Sequence, residues 1–133
     1  MHIGVLPRVL IVSDDQWLRA GIRAELRERG YDAVGARDVP DALRCARPEP
    51  DRGPVALILV DQAALGAEVS AGLLERVLVR LGRPPAVLIA PGNRPPAEGT
   101  WSAVLRRPIS IGDIVAFVQR QLPGSHADAP LDR

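Results

Sequence analysis

Lysine is absent from this chain, and all 17 basic residues are arginine. Site chemistry that depends on a lysine amine is therefore excluded. The arginine usage, with abundant Ala, Gly and Pro, reads as the imprint of a GC-rich genome. The single cysteine, Cys45, rules out an internal disulfide. It reads as a small buried hydrophobe on an amphipathic helix. Aromatic residues make up only 3% of the sequence, so the core must be built from Leu, Val, Ile and Ala. No apolar run approaches the roughly 20 residues that cross a bilayer. No basic segment followed by a long apolar stretch opens the chain. A cytoplasmic protein without membrane contact is expected. Net charge is +1 and the arginines are spread, which gives no case for direct nucleic-acid binding.

What is present points to one crevice. Arg8-Val9-Leu10-Ile11-Val12-Ser13-Asp14-Asp15 and Val55-Ala56-Leu57-Ile58-Leu59-Val60-Asp61 are apolar runs that end in acid. Both are rich in β-branched residues and short, as buried parallel strands are. Ligands of open α/β sheets bind outside the carboxyl ends of the strands. If these strands are neighbours, Asp14 and Asp61 face each other there. Two carboxylates so placed suggest a divalent cation, a phosphoryl group, or both.

The rest of the chain alternates. Gln16 to Arg29 predicts a helix with Leu18, Ile22 and Leu26 inward, Gly21 and Ala24 allowing close packing on the sheet, and Gly30 as its stop. Tyr31 to Ala36 is a short strand. A short helix through Ala42, Leu43 and Ala46 has Pro40 in its first turn and ends by Pro48. Arg47 to Pro54 is an irregular loop. Val69 to Leu81 is a helix with Val69, Leu73 and Val77 on one side, closed by Gly82. Ala86 to Ala90 and Trp101 to Leu105 are strands. Ser110 caps a last helix with Asp113 three residues on, burying Ile111, Val115, Val118 and Leu122. Between Ala90 and Trp101, three prolines and two glycines in ten residues argue against a helix. The expectation is a doubly wound α/β domain over residues 7–122, five strands and a missing or very short fourth helix. Residues 123–133, with His126, read as a tail or linker.

These segments resemble the receiver domain of two-component response regulators, a flavodoxin-like (βα)5 fold. The resemblance rests on Leu10-Ile11-Val12-Ser13-Asp14-Asp15 with Leu18-Arg19, on Leu57-Ile58-Leu59-Val60-Asp61, and on Arg107-Pro108 before the last helix. It implies a signalling module rather than an enzyme. Asp61 would be the phosphoacceptor for a histidine kinase. Asp14, Asp61 and the Ala63 main-chain carbonyl would form a weak Mg²⁺ site. Its partners would be a kinase or an output domain or protein, and the family's helix-four, strand-five, helix-five face also supports homodimers.

The chain departs from that pattern. Ser13 replaces one of the family's acidic pair, Ala90 its hydroxyl residue, Arg107 its lysine, and Val104 its switch aromatic. An absent hydrogen bond to a charged group costs about 1.5–3 kcal/mol. A planar guanidinium suits a carboxylate and fills the space a phosphoryl group needs. The leading expectation is an atypical receiver that works through protein–protein interaction, with weak or absent phosphorylation. The alternative is a working phosphoacceptor. A flavin- or cobalamin-binding domain of the same topology ranks below both. Asp15 reads as a helix N-cap rather than a ligand. Trp17 and Trp101 read as packing residues. Arg94 and Trp101 mark a candidate partner surface where the missing helix would uncover the sheet.

Overall fold

The computed structural model describes residues 6–45, 52–66 and 69–123. Its five strands are β1 (Arg8–Val12), β2 (Asp32–Ala36), β3 (Val55–Asp61), β4 (Ala86–Ala90) and β5 (Ala103–Arg106). Four helices connect or follow them: α1 (Gln16–Glu28), α2 (Val39–Cys45), α3 (Val69–Arg80) and α4 (Ile111–Gln121). All pairings are parallel, in the order β2-β1-β3-β4-β5. This is the flavodoxin-like arrangement. The expected gap is real: residues 91–100 contain no helix. Proline lacks the N–H that a helix needs, and Pro91, Pro95 and Pro96 interrupt the segment.

Side chains alternate along the central strands and divide the core in two. Leu10, Val12, Ile58, Val60 and Leu88 face α2 and α3, meeting Val39, Ala42, Leu74 and Val77. Val9, Ile11, Leu57, Leu59 and Ile89 face α1 and α4, meeting Ile22, Leu26, Ile114 and Val118. Each fully buried Leu, Ile or Val contributes about 1.5–3 kcal/mol. Aliphatic side chains thus do the work that the scarce aromatics leave undone. Tyr31 adds a tie between layers, its hydroxyl donating to the Leu122 carbonyl.

Caps match the sequence. The Asp15 carboxylate accepts from the Trp17 and Leu18 N–H groups at 3.0 and 3.1 Å. Ser110 Oγ accepts from the Asp113 N–H at 3.0 Å. Gly30 ends α1 with φ of +90°, where an L side chain would be strained.

Some expectations need correction. Gly21 does not meet the sheet: a Cβ there would lie 2.5 Å from Ile111 Cδ1, so the glycine admits α4. Ala24 is exposed. The fully buried positions of α4 are Ile114, Val115 and Val118, with Ile111 and Leu122 at the margins. Trp17 is not a packing residue, being 81% exposed. It follows the capped end of α1, and its position points it away from the apolar stripe. Trp101, by contrast, packs against the α2/α3-side core. The fifth strand begins at Ala103, because Trp101 and Ser102 complete the crossover. Ala46, Pro48, most of the Arg47–Pro54 loop, the Val69 side chain and His126 lie outside the described residues.

β2 lies at one edge of the sheet. The Asp32 N–H and the Ala36 carbonyl bond toward the β1 side, so by alternation the Ala33 and Gly35 carbonyls point outward. Arg23 and Arg27 both donate to the Ala33 oxygen, at 3.4 and 3.3 Å. The Cys45 thiol lies 3.9 Å from the Gly35 oxygen. Its burial pushes the thiol's pKa up, which suits the reading of Cys45 as an inert packing residue. Gly35 also makes room: a Cβ would sit 3.0 Å from the Arg19 stem. At the start of β2, Arg52 donates to Asp32 at 2.9 and 2.7 Å and holds its carboxyl below the usual range.

Candidate functional site

β1 and β3 are neighbours in register, Val12 opposite Val60, so the residues that follow them converge at one end of the sheet. An open cleft of about 720 Å³ lies there. Asp14, Asp61, Ala63, Arg94 and Arg107 are among its walls. Asp14 is exposed on the cleft rim, whereas Asp61 is 2% exposed at its floor.

Ser13 is the hinge of this arrangement. Its N–H donates to the Ala36 carbonyl at 3.0 Å, tying it to β2. Its carbonyl accepts from Arg19 at 2.6 Å. Its hydroxyl accepts from the Asp15 N–H at 3.1 Å and donates to Asp61 Oδ2 at 2.9 Å. A buried carboxylate must be satisfied, and Ser13 supplies one of its donors.

Arg107 supplies another. It stands just past β5, and Nη2 reaches Asp61 Oδ2 at 3.1 Å. Its side chain is 40% exposed, so the guanidinium closes the cleft floor from the solvent side. The remaining oxygen, Oδ1, accepts from the Ala63 N–H at 3.3 Å. Asp61 is in this way the N-cap of a 3-10 turn, Gln62–Ala64. Arg107 pairs with Asp61, not with Asp14.

Among the described residues, the neighbouring positions that the resemblance singles out add no side-chain partner to Asp61. Ala90 is fully buried at the end of β4 and contributes only its carbonyl, which accepts the Arg107 N–H at 2.9 Å. Val104 on β5 is 38% exposed, on the side a fourth helix would cover. Asp15 is occupied as the α1 cap. Arg94 sits exposed on the crossover, and the Trp101 indole N–H is spent on the Ala97 carbonyl at 2.8 Å.

These residues fit a divalent cation only in part. Asp14 and Asp61 border one cleft, and Ala63 lines it beside them. Ser13 offers a hydroxyl where a second acid would strengthen the site, and Asp61 Oδ2 already serves two donors. A hard cation preferring six oxygens would compete with Arg107 if it took that atom.

Two participants were not legible in the sequence. Gln62 extends from the 3-10 turn to the crossover, donating to the Pro95 carbonyl at 3.2 Å and accepting from the Ala97 N–H at 2.9 Å. Arg19 grips Ser13. A glutamine after a strand and an arginine on a helix carry no local pattern that announces such contacts.

No protein-family model matches the chain, and neither does any curated protein. Solved structures do. The receiver domain of the hybrid histidine kinase CckA is 30% identical, with a TM-score of 0.67 over 86% of this chain and 98% of that one. A CheY-like receiver domain from Methanospirillum hungatei JF-1 has a TM-score of 0.66 at 17% identity, over 89% and 94% of the two chains. A Burkholderia pseudomallei response regulator, solved with a phosphorylated aspartic acid, calcium ion and citrate, has a TM-score of 0.60 at 15% identity. It covers 96% of this chain and 77% of that one. The last two are alike in fold alone. The fold, the paired acid-ending strands and the identity to the CckA receiver together place this chain in the receiver-domain family of two-component signalling.

Proposed function

We propose that this receiver domain works mainly by binding a protein partner, a histidine kinase or an output domain or protein, with phosphorylation weak or absent. The observation that carries this reading is the double engagement of Asp61 Oδ2 by Ser13 Oγ and Arg107 Nη2. An attacking carboxylate oxygen needs a free lone pair and a route to phosphorus. Here Oδ2 is held by two donors and Oδ1 by the Ala63 N–H, with the Arg107 guanidinium over the carboxylate. Ala90 adds no hydroxyl to hold a phosphoryl oxygen. Mg²⁺ enters this reading as a weak ligand of Asp14, Asp61 and the Ala63 carbonyl, in competition with Arg107. The module is a signalling part and not an enzyme.

A second reading has its own support. The cleft is open, and Arg107 brings a cation to the place where phosphoryl charge would need neutralising. Asp61 would then be a phosphoacceptor with altered chemistry.

One experiment separates them. The protein is incubated with a small acyl phosphate and Mg²⁺, and its intact mass is followed over time. The first reading expects no durable phosphoryl adduct. A robust adduct that vanishes in Asp61→Asn would sink it and install the second.

A further inference from the structure

The crossover between β4 and β5 has little regular structure of its own, only a turn at Gly92 and Asn93. Pro91, Pro95 and Pro96 have no N–H to donate, and the segment forms no helix. Side chains outside it or at its end add hydrogen bonds to it. Arg106 donates to the Pro91 and Arg94 carbonyls at 3.2 and 3.0 Å. The Trp101 indole holds the Ala97 carbonyl. Gln62 is the one clamp among these that comes from the β3 side. Its amide has both a donor and an acceptor, and it uses them on Pro95 and Ala97.

Gln62 is also the first residue of the turn that Asp61 caps. The Asp61 carboxylate therefore reaches the crossover through two short links: Oδ1 to the Ala63 N–H, and the Gln62 amide to Pro95 and Ala97. Ala90 and Val104 lack the hydroxyl and the ring that would give another route.

We infer that Gln62 is a latch on the helix-less crossover, and that the Asp61 carboxylate, by capping the turn that carries Gln62, sets whether the latch holds. Any event that takes Oδ1 away from Ala63 loosens the strap from residue 91 to residue 100. Any event that leaves Oδ1 in place keeps the strap as it is. The inference is independent of whether Asp61 accepts a phosphoryl group, because it concerns the cap and not the modification.

The test uses a Trp17→Phe background, in which Trp101 is the sole tryptophan. Trp17 is exposed, so its loss leaves the fold intact. Two readouts report the strap: amide exchange at Ala97 and Trp101 emission. Exchange at Leu59, in the core of β3, reports that each variant is folded. Gln62→Ala is expected to speed Ala97 exchange by about tenfold, the effect of one lost hydrogen bond, and to shift Trp101 emission to the red. Asp61→Ala is expected to do the same in part, and the double variant no more than Gln62→Ala alone. Asp61→Asn, which keeps a capping oxygen, is expected to leave Ala97 protected; it also serves if Asp61→Ala does not fold. An unchanged Ala97 in Gln62→Ala overturns the latch. Additive effects of the two alanines, or loosening in Asp61→Asn equal to that in Gln62→Ala, overturn the coupling.

Discussion

Arg107 and Asp61 meet across the mouth of the sheet, Nη2 to Oδ2 at 3.1 Å, from positions just past β5 and at the end of β3. Ser13 shares the same oxygen. Ser13 and Arg107 meet on this one atom, and Ala90 ends the neighbouring strand; the receiver resemblance aligns the three with an acid, a lysine and a hydroxyl residue of the family. The triple variant Ser13→Asp/Ala90→Ser/Arg107→Lys rebuilds all three. It is expected to raise phosphoryl incorporation at Asp61 by roughly ten- to a hundredfold, the range of a charged hydrogen bond regained. Intact-mass time courses with an acyl phosphate check this, and no gain in a folded triple variant would remove these substitutions as the cause.

Two glycines look alike and should behave differently. A Cβ on Gly92 would lie 2.3 Å from the Arg107 carbonyl oxygen, which is backbone. A Cβ on Gly21 would lie 2.5 Å from Ile111 Cδ1, the tip of a side chain that can turn. Gly92→Ala is expected to destabilise by about 1–3 kcal/mol, as overpacking does. Gly21→Ala gains about 1 kcal/mol of helix propensity against its clash and is expected to be nearly neutral. Urea denaturation measures both.

Asp15 distinguishes a cap from a ligand. Its carboxylate holds the Trp17 and Leu18 N–H groups. Asp15→Asn keeps the accepting oxygen and is expected to change stability little. Asp15→Ala is expected to cost about 1 kcal/mol. A large loss in Asp15→Asn would show that the charge at the helix N-terminus matters more than the capping oxygen.

Asp32 gives the domain an acid-sensitive contribution. The Arg52 hydrogen bonds lower its pKa first, with the charges of Arg52, Arg8 and Arg27 adding to them against desolvation. A carboxyl with a lowered folded-state pKa favours folding fully above its unfolded value of about 3.9. That contribution is lost as pH falls through the lower, folded-state value. Asp32→Asn is expected to be less stable than the parent at neutral pH, and the two should converge as the solution is acidified into that range. Parallel melting curves that keep a constant gap down to strong acid would refute the assignment.

Much of the fold was legible because burial leaves periodic marks. Strands buried on both faces read as unbroken apolar runs, and the bounds of β4 match the expected Ala86 to Ala90. Caps are local chemistry, so Asp15, Gly30 and Ser110 were readable one by one. The missing helix was legible too, since proline's lack of an N–H is a property of the residue itself. What failed was long-range. Gly21 faces Ile111, 90 positions away in sequence order but adjacent in space, and no local pattern says which neighbour a glycine admits. Trp17 looked like core because tryptophan is large and apolar; its place beyond the Leu18, Ile22 and Leu26 stripe decided otherwise. In the site, Asp14 and Asp61 came from their positions at strand ends and Arg107 from the receiver resemblance, whereas Gln62 and Arg19 act through partners that only the folded chain brings near.

The guanidiniums at the outer edge of β2 have a consequence for self-association. A foreign strand adding to that margin would need the outward carbonyls of Ala33 and Gly35. Arg23 and Arg27 already occupy the first, and Cys45 touches the second. Sheet growth through β2 would have to strip arginines from an acceptor they share. Fibre-like stacking at that margin is opposed by the folded state itself, and the β5 margin, with Val104 open beside it, is left as the one from which edge-to-edge aggregation would begin.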